Sequence, residues 1–201
     1  MIFDISSAVA IDPSEDFFVD TNVLYIVYFE KSEKTEISKK IDAYTEFLQK
    51  LKQNGNKLYI SSLNLQEVLH VIEKEEYKDY CRQKRLRIKW KTYRKNILER
   101  QRIKKKLLNA VQQINFNFSI TEDSVFCLNI LQFVQTFEKH QLDPIDFLVV
   151  YPKCLTANKS NKNFNYITDD SDFKNDSRFQ SSVFMNIYTY EKNENEEKQT
   201  G

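Results

Sequence analysis

DFFVDTNVLYIVYFE, residues 16–30, decides the fold, because a short apolar run, an acidic residue and a helical stretch follow one another without a break. DFFV reads as a strand, and TNVLYIVYFE as the helix behind it, capped by Asp20 or Thr21. The same succession recurs along the chain. Ile37, Ile41, Tyr44, Phe47, Leu48 and Leu51 stand at helical spacing, and Asn54-Gly55-Asn56 ends that helix. KLYIS, 57–61, is a second strand, and Ser61 or Ser62 caps a third helix through SLNLQEVLHVI. NFNFSI, 115–120, alternates as a strand does. TEDSVFCLNILQFVQTFEKH then reads as a helix opened by Thr121, with Glu122 and Asp123 in its first turn. DPIDFLVVYPKCLTANK follows as a helix bent at Pro152, then NYIT and VFMNIYTY as strands and 191–201 as a frayed polar tail. This alternation predicts a single α/β domain over 1–201, in three layers, with a mainly parallel central sheet flanked by helices.

Composition agrees with a folded, helix-rich chain: among 201 residues there are 15 Phe and 11 Tyr, but only 2 Gly and 3 Pro to interrupt regular structure. The start carries no basic leader, and no run reaches the roughly 18 apolar residues of a membrane span, so the expectation is a soluble, cytoplasmic protein. Cys81, Cys127 and Cys154 are odd in number and lack metal-ligand spacing, which fits a reducing compartment and assigns them no role.

A net charge of +1 conceals a division within the chain. From Lys74 to Lys106 there are 15 Lys and Arg against 4 Asp and Glu, which leaves 15 against 25 elsewhere. Neither Gly nor Pro occurs between Gly55 and Pro144. A single helix over 62–113 would be roughly 78 Å long, too long for a small domain, so a helical hairpin is expected. Leu86, Trp90, Tyr93 and Ile97 keep one helical phase and Ile103, Leu107, Ala110 and Ile114 another, which puts the turn near 98–102 or in 74–84. Residues 74–113 thus form a basic helical insertion. Its apolar stripe packs inward, while Arg87, Lys91, Arg94, Lys95, Lys104, Lys105 and Lys106 stay free to meet nucleic-acid phosphates, with Tyr80, Trp90 and Tyr93 interleaved. A merely solvated face, or a surface for an acidic protein partner, are the competing readings.

Acidic residues recur at one structural position, the C-terminal end of a strand or the first turns of the next helix, where open α/β sheets place their ligand crevice. They are Asp20, Glu67, Asp146 and the Asp169-Asp170 pair. Each has a plain reading. Asp20 can be a helix cap, Glu67 a surface residue, and Asp146 the acidic member of a capping box opened by Asp143 and Pro144. Gathered together, however, such carboxylates repel one another, and a hard divalent cation with oxygen ligands, Mg²⁺ or Mn²⁺, relieves that repulsion.

Asp20-Thr21-Asn22-Val23-Leu24, Glu67 in NLQEVLHVI, Asp146 in DPIDFLVV and Thr168-Asp169-Asp170-Ser171-Asp172-Phe173 follow one another in an order that resembles the PIN-domain nucleases, over about residues 16–175. The resemblance implies a PIN-like fold and an endoribonuclease that hydrolyses single-stranded or structured RNA, leaving a 5′-phosphate and a 3′-hydroxyl. It implies that Asp20, Asp146 and Asp170 bind Mg²⁺ or Mn²⁺ directly and that Glu67 binds a second ion or orients water. Asn22 and Thr168 support by hydrogen bonds, Asp143 is a cap, and Asp172 caps the local turn. The role implied is a toxin of a toxin–antitoxin pair, an RNA-processing enzyme or a defence nuclease. RNA and an antitoxin or other acidic protein are the implied partners, with a homodimer compatible and no membrane. Two other functions compete: a structure-specific DNA nuclease related to flap endonucleases, and an RNA-binding adaptor without activity.

Overall fold

The computed structural model describes residues 1–7, 10–30, 34–121, 142, 144–160, 162–176, 179 and 185–191. In chain order the elements are β1 (Ile2–Asp4), β2 (Asp16–Val19), α1 (Thr21–Tyr28), α2 (Thr35–Gln53), β3 (Lys57–Ser61), α3 (Ser62–Lys84), α4 (Trp90–Tyr93), α5 (Ile97–Asn117), β4 (Ser119–Thr121), α6 (Pro144–Lys159), β5 (Phe164–Ile167), α7 (Ser171–Asn175) and β6 (Met185–Thr189). The strands form one sheet in the order β1-β6-β5-β2-β3-β4, with every pairing parallel. The expected α/β architecture is present, and its sheet is wholly parallel.

Strand alternation sorts the apolar residues onto two faces. Phe17, Val19, Leu58, Ile60, Ile167 and Tyr188 meet α1, α2, α3 and α5 in one core. Phe164, Tyr166, Met185 and Ile187 meet α6, α7 and Phe179 in the other, with Phe18 packed against it. Parallel strands buried on both sides must be apolar at nearly every position, as β5 and β6 are.

From β2 the chain moves outward through β3 to β4, then crosses back to β5 on the other side of β2 and on to β6, beside which the first strand, β1, forms the edge. The order therefore reverses between β2 and β5, and the crevice beyond their carboxyl ends is where such sheets take ligands.

Several boundaries differ from the sequence reading. β1 was not expected; it adds to the sheet edge beside β6. The strand over 115–120 is only Ser119–Thr121, because Ile114 is buried in the core and carries α5 through Asn117, where the Phe118 N–H still donates to the Ile114 carbonyl at 2.9 Å. Thr121 ends β4. The helix expected over 121–140 and the tail after Glu191 lie outside the described residues, as do Cys127 and Asp143. Pro152 is contained within a continuous α6.

The turn of the basic hairpin falls in neither expected place. α3 runs through the polar 74–84 stretch to Lys84 and stops where Arg85 turns left-handed, with φ 52°. The Arg85 N–H donates to Arg82 and the Leu86 N–H to Cys81, the pattern in which glycine usually supplies the left-handed residue. After α4, Asn96 accepts from the Leu98 and Glu99 N–H groups and starts α5. An L-residue pays steric energy in this conformation that glycine does not. Arg85→Gly should therefore stabilise the protein by about 1 kcal/mol, raising Tm by roughly 2–4 °C in thermal denaturation, whereas Arg85→Val should lower it.

Candidate metal centre

Asp20 leaves β2 with its backbone N–H donating to the Ile167 carbonyl at 2.9 Å, so the ladder between β2 and β5 fixes where its side chain emerges. It then caps α1, Oδ1 accepting from the Thr21 N–H at 2.7 Å, while Oδ2 accepts from the Thr168 hydroxyl at 2.7 Å. The residue is 3% exposed. Burial pushes its carboxyl up to about 6, against hydrogen bonding from Thr168, Tyr166 and Thr21, and the nearby charge of Glu67 raises it further.

Ser61 accepts from the Asn64 N–H at 2.9 Å and so starts α3, whose first turns face Asp20. Asn64 and Glu67, three residues apart on one helical face, both reach Thr21: the Asn64 amide donates to its hydroxyl at 3.0 Å, and that hydroxyl donates to Glu67 Oε2 at 2.8 Å. Asp146 lies half-buried in the first turn of α6. Asp170 caps α7 by accepting from the Asp172 N–H at 2.8 Å, and its own N–H donates to Thr168 Oγ1 at 3.0 Å.

Thr168 therefore links Asp170 to Asp20. Tyr166 lies two residues earlier on the same face of β5, 1% exposed, with its hydroxyl buried. That hydroxyl is close enough to act on Asp20, and burial followed by the charges of Asp20, Asp146 and Glu67 pushes its ionisation well above the ordinary range.

The charges of Asp20, Asp146 and Glu67 are all felt by the Tyr166 hydroxyl, and Thr168 links Asp20 to the backbone N–H of Asp170. Among the described residues no three His, Cys, Asp or Glu side chains stand close enough together to hold an ion as they are placed. Asp169 is engaged elsewhere: Lys40 pairs with it at 2.8 Å, the Tyr44 hydroxyl donates to it at 3.1 Å, and its N–H donates to Asn22 Oδ1 at 3.1 Å. Asn22 therefore holds the β5–α7 turn. Asp172 does not cap that turn, since Asp170 does; Asp172 is exposed in the first turn. Asn64, Tyr166 and Lys40 were not singled out in the sequence, Thr21 was read only as a cap and part of a motif, and Tyr44 only as part of an apolar stripe. Only Asn64 carried a usable signal, its spacing of three from Glu67.

The basic arm is less free than its sequence suggests. Glu76, 5% exposed, pairs with Lys106 and, at 2.6 Å, with Arg102. Arg94 pairs with Glu73 and lies over the Trp90 ring at 4.9 Å. Arg94 and Lys106 are thus tied within the hairpin, against expectation, whereas Arg87, Lys91, Lys95, Lys104 and Lys105 are exposed. The expected inward stripe also splits, with Tyr93 buried but Leu86 and Ile97 exposed. Tyr77, Tyr80, Trp90 and Tyr93 pack on one another at 5.0–5.2 Å, with His70 edge-on to Trp90, so these rings build the hairpin rather than lie open as a stacking platform. A groove of about 610 Å³ between α3 and α5, lined by Leu69, Ile97, Leu108 and Val111 among others, lies apart from the carboxylates. No described helix is long and apolar enough to cross a membrane.

No protein-family model and no curated protein matches the chain. Among solved structures, a VapBC2 complex from Rickettsia felis bound to a DNA fragment from its promoter is similar, with a TM-score of 0.47 and 16% identity over 86% of this chain and 98% of that one.

Asp20 also makes stability depend on pH. Its folded-state pKa of about 6 lies above the ordinary 3.8, so the folded protein keeps a proton that the unfolded chain has lost. The stability this confers is complete below the unfolded value and disappears as pH rises through about 6. In urea titrations of metal-free protein, Asp20 should remove on the order of 3 kcal/mol of unfolding free energy between about pH 4 and pH 7. Asp20→Asn should lack that component of the decline.

Proposed function

We propose that this protein is a divalent-cation-dependent endoribonuclease of the PIN type, with Asp20, Glu67, Asp146 and Asp170 as its acidic set. The observation that carries the reading is Asp20, buried at the switch point between β2 and β5 at a cost to its charged form, with Glu67 bonded to the hydroxyl of the adjacent Thr21. The donor set fits a hard cation: all the candidate ligand atoms are carboxylate oxygens, the choice of Mg²⁺ or Mn²⁺ rather than of zinc. When bound, the ion supplies a Lewis acid for a phosphodiester and lowers the pKa of water.

The residues divide the work. Asp20, Asp146 and Asp170 hold the cation. Glu67, oriented by the Thr21 hydroxyl, holds a second ion or accepts the proton of the attacking water. Thr168 fixes the Asp20 carboxylate on one side and the backbone of Asp170 on the other. Exposed Arg87, Lys91, Lys95, Lys104 and Lys105 take the RNA backbone, contacts that position a strand without reading its bases. The biological setting we favour is a toxin, RNA-processing or defence nuclease. An antitoxin or other acidic protein is the partner that the same basic surface would accept.

Labelled RNA and labelled flap DNA, each in Mn²⁺ and in EDTA, test the reading. RNA cleavage in Mn²⁺ alone supports it, cleavage of flap DNA alone moves the protein to the structure-specific DNA nucleases, and binding without cleavage makes it an adaptor. Asp20→Asn should abolish cleavage with the fold intact, since asparagine caps helices as well as aspartate does. Asp146→Asn should cut turnover at least about tenfold more than Asp143→Asn, because only the former removes a ligand; the reverse order would exchange their roles.

The arm has its own test. Each phosphate contact to a single strand contributes roughly 0.7 to the slope of log K against log salt. Replacing Lys104 and Lys105 together by Gln should flatten that slope by about 1.4, whereas Lys106→Gln should mainly lower Tm by removing a cationic partner of the buried Glu76. An unchanged slope would take the arm out of RNA binding and favour a protein partner.

A further inference from the structure

α5 carries two adjacent apolar seams. Ile103, Ala110 and Ile114 are buried, with Leu107 packed beside them. One position on, Ile97, Gln101, Lys104, Leu108 and Val111 follow one another at intervals of four, three, four and three, and all five line the groove of about 610 Å³ between α3 and α5. A helix presents that interval pattern to a second helix packed along it. Leu69 of α3 and Leu107 extend the apolar lining. Isolated apolar residues on a surface are ordinary, but here Ile97 is 71% and Leu108 53% exposed on a single seam, above half-buried Leu69, Leu107 and Val111.

The seam is apolar at its ends and cationic at its centre. Lys104 stands midway between Ile97 and Val111 with Arg100 one turn before it, both exposed, whereas Arg94 at the end of the groove is already answered by Glu73. This pattern selects among occupants. A second copy packed antiparallel along the seam, centre on centre, would set Lys104 against Lys104, a like-charge contact that opposes pairing. An RNA backbone would use Lys104 and Arg100 but gives Ile97, Leu108 and Val111 nothing to bury against. We propose that the groove docks an acidic amphipathic helix of another protein, whose apolar residues seat on Ile97, Leu108 and Leu69 and whose central carboxylate meets Lys104. The seam runs for about four turns, roughly 21 Å, the length of one short helix. Its apolar ends supply affinity, and the central charge fixes register and partner sign. Because Lys104 also belongs to the surface assigned to RNA, a seated helix withdraws that cation from RNA; this consequence, unlike the docking itself, rests on the proposed nuclease reading.

The probe is a synthetic, fluorescein-labelled helical peptide with leucines at the same four-three spacing and glutamates at and around its centre, titrated with the whole protein and read by fluorescence anisotropy. A second peptide carries lysine in place of every glutamate. Wild type should bind the acidic peptide at least about tenfold more tightly than the basic one. Leu108→Asp should weaken the acidic peptide about tenfold while leaving Tm nearly unchanged, since the side chain is half exposed. Lys104→Glu should reverse the preference between the two peptides, a gain of binding that a merely misfolded variant cannot give. Equal binding of both peptides, binding of neither, or an affinity indifferent to Leu108→Asp would overturn the inference. So would a concentration-dependent dimer in sedimentation that Leu108→Asp abolishes, which would make a second copy the occupant, or a loss of RNA affinity in Leu108→Asp equal to its loss of peptide affinity, which would make the groove part of the RNA surface. RNA cleavage in Mn²⁺ by wild type separates the two readings. Cleavage without peptide binding removes the docking site alone, and peptide binding by a protein that cleaves no RNA removes the nuclease reading alone.

Discussion

The burial of one carboxylate organises this end of the molecule. Asp20 sits at the tip of a central strand, out of water, and a charged group there is costly unless other dipoles replace its hydration. The Thr21 N–H at the start of α1 and the Thr168 hydroxyl at the end of β5 supply that replacement. Thr168 is in turn held by the Asp170 N–H, the next backbone N–H is held by Asn22, and the Asp169 side chain is held by Lys40 and Tyr44. The turn from β5 into α7 is thus shaped outward from Asp20. Two acidic residues adjacent in sequence acquire different environments, with Asp169 neutralised by a lysine and Asp170 left beside the centre.

α3 ties this centre to the basic hairpin. Its first turns present Asn64 and Glu67 to Thr21, and its later turns present Glu73 and Glu76 to Arg94, Arg102 and Lys106. The two glutamates inside the arm absorb part of its positive charge, and a buried glutamate with two cationic partners costs much more to break than an exposed pair. Burial pushes the Glu76 carboxyl up, but its bonds to Lys106 and Arg102 prevail and hold it below the ordinary range, so this pairing strengthens as pH rises above that range and is lost on acidification. Asp20 contributes in the opposite sense. The core end of α3 is relieved by acid while the arm end is weakened by it.

The layer architecture was legible in the sequence because strands buried on both faces and helices of period 3.6 leave unambiguous patterns, as in DFFV and residues 37–53. The hairpin turn was not, because Arg85 adopts a left-handed conformation that no side-chain pattern announces, and the nearby Asn96 cap was the one local signal available. Residues 115–117 illustrate the usual ambiguity of a short alternating run, settled by tertiary packing: buried Ile114 holds the helix while Phe116 remains exposed. β1 pairs over only Ile2–Asp4, too short to show a period. Of the centre, the acidic positions could be read from their order along the chain. Their neutral partners could not, since Thr21, Asn64 and Tyr166 acquire meaning only when β2, α3 and β5 are brought side by side.

The position of Asp20 also bears on why it is an aspartate. Capping alone does not require one, for asparagine or serine satisfies the first helical N–H groups without carrying a charge out of water. Thr168 does not require one either, since any acceptor would receive its hydroxyl. Against those neutral choices, aspartate brings a carboxylate whose burial raises its pKa to about 6 and which feels the like charge of Glu67. A residue that serves a neutral role at such a cost calls for a use of its charge, and the cation site proposed above is one. The plain reading of Asp20 thus explains its backbone contacts and leaves its charge unexplained, whereas the proposed metal centre explains both.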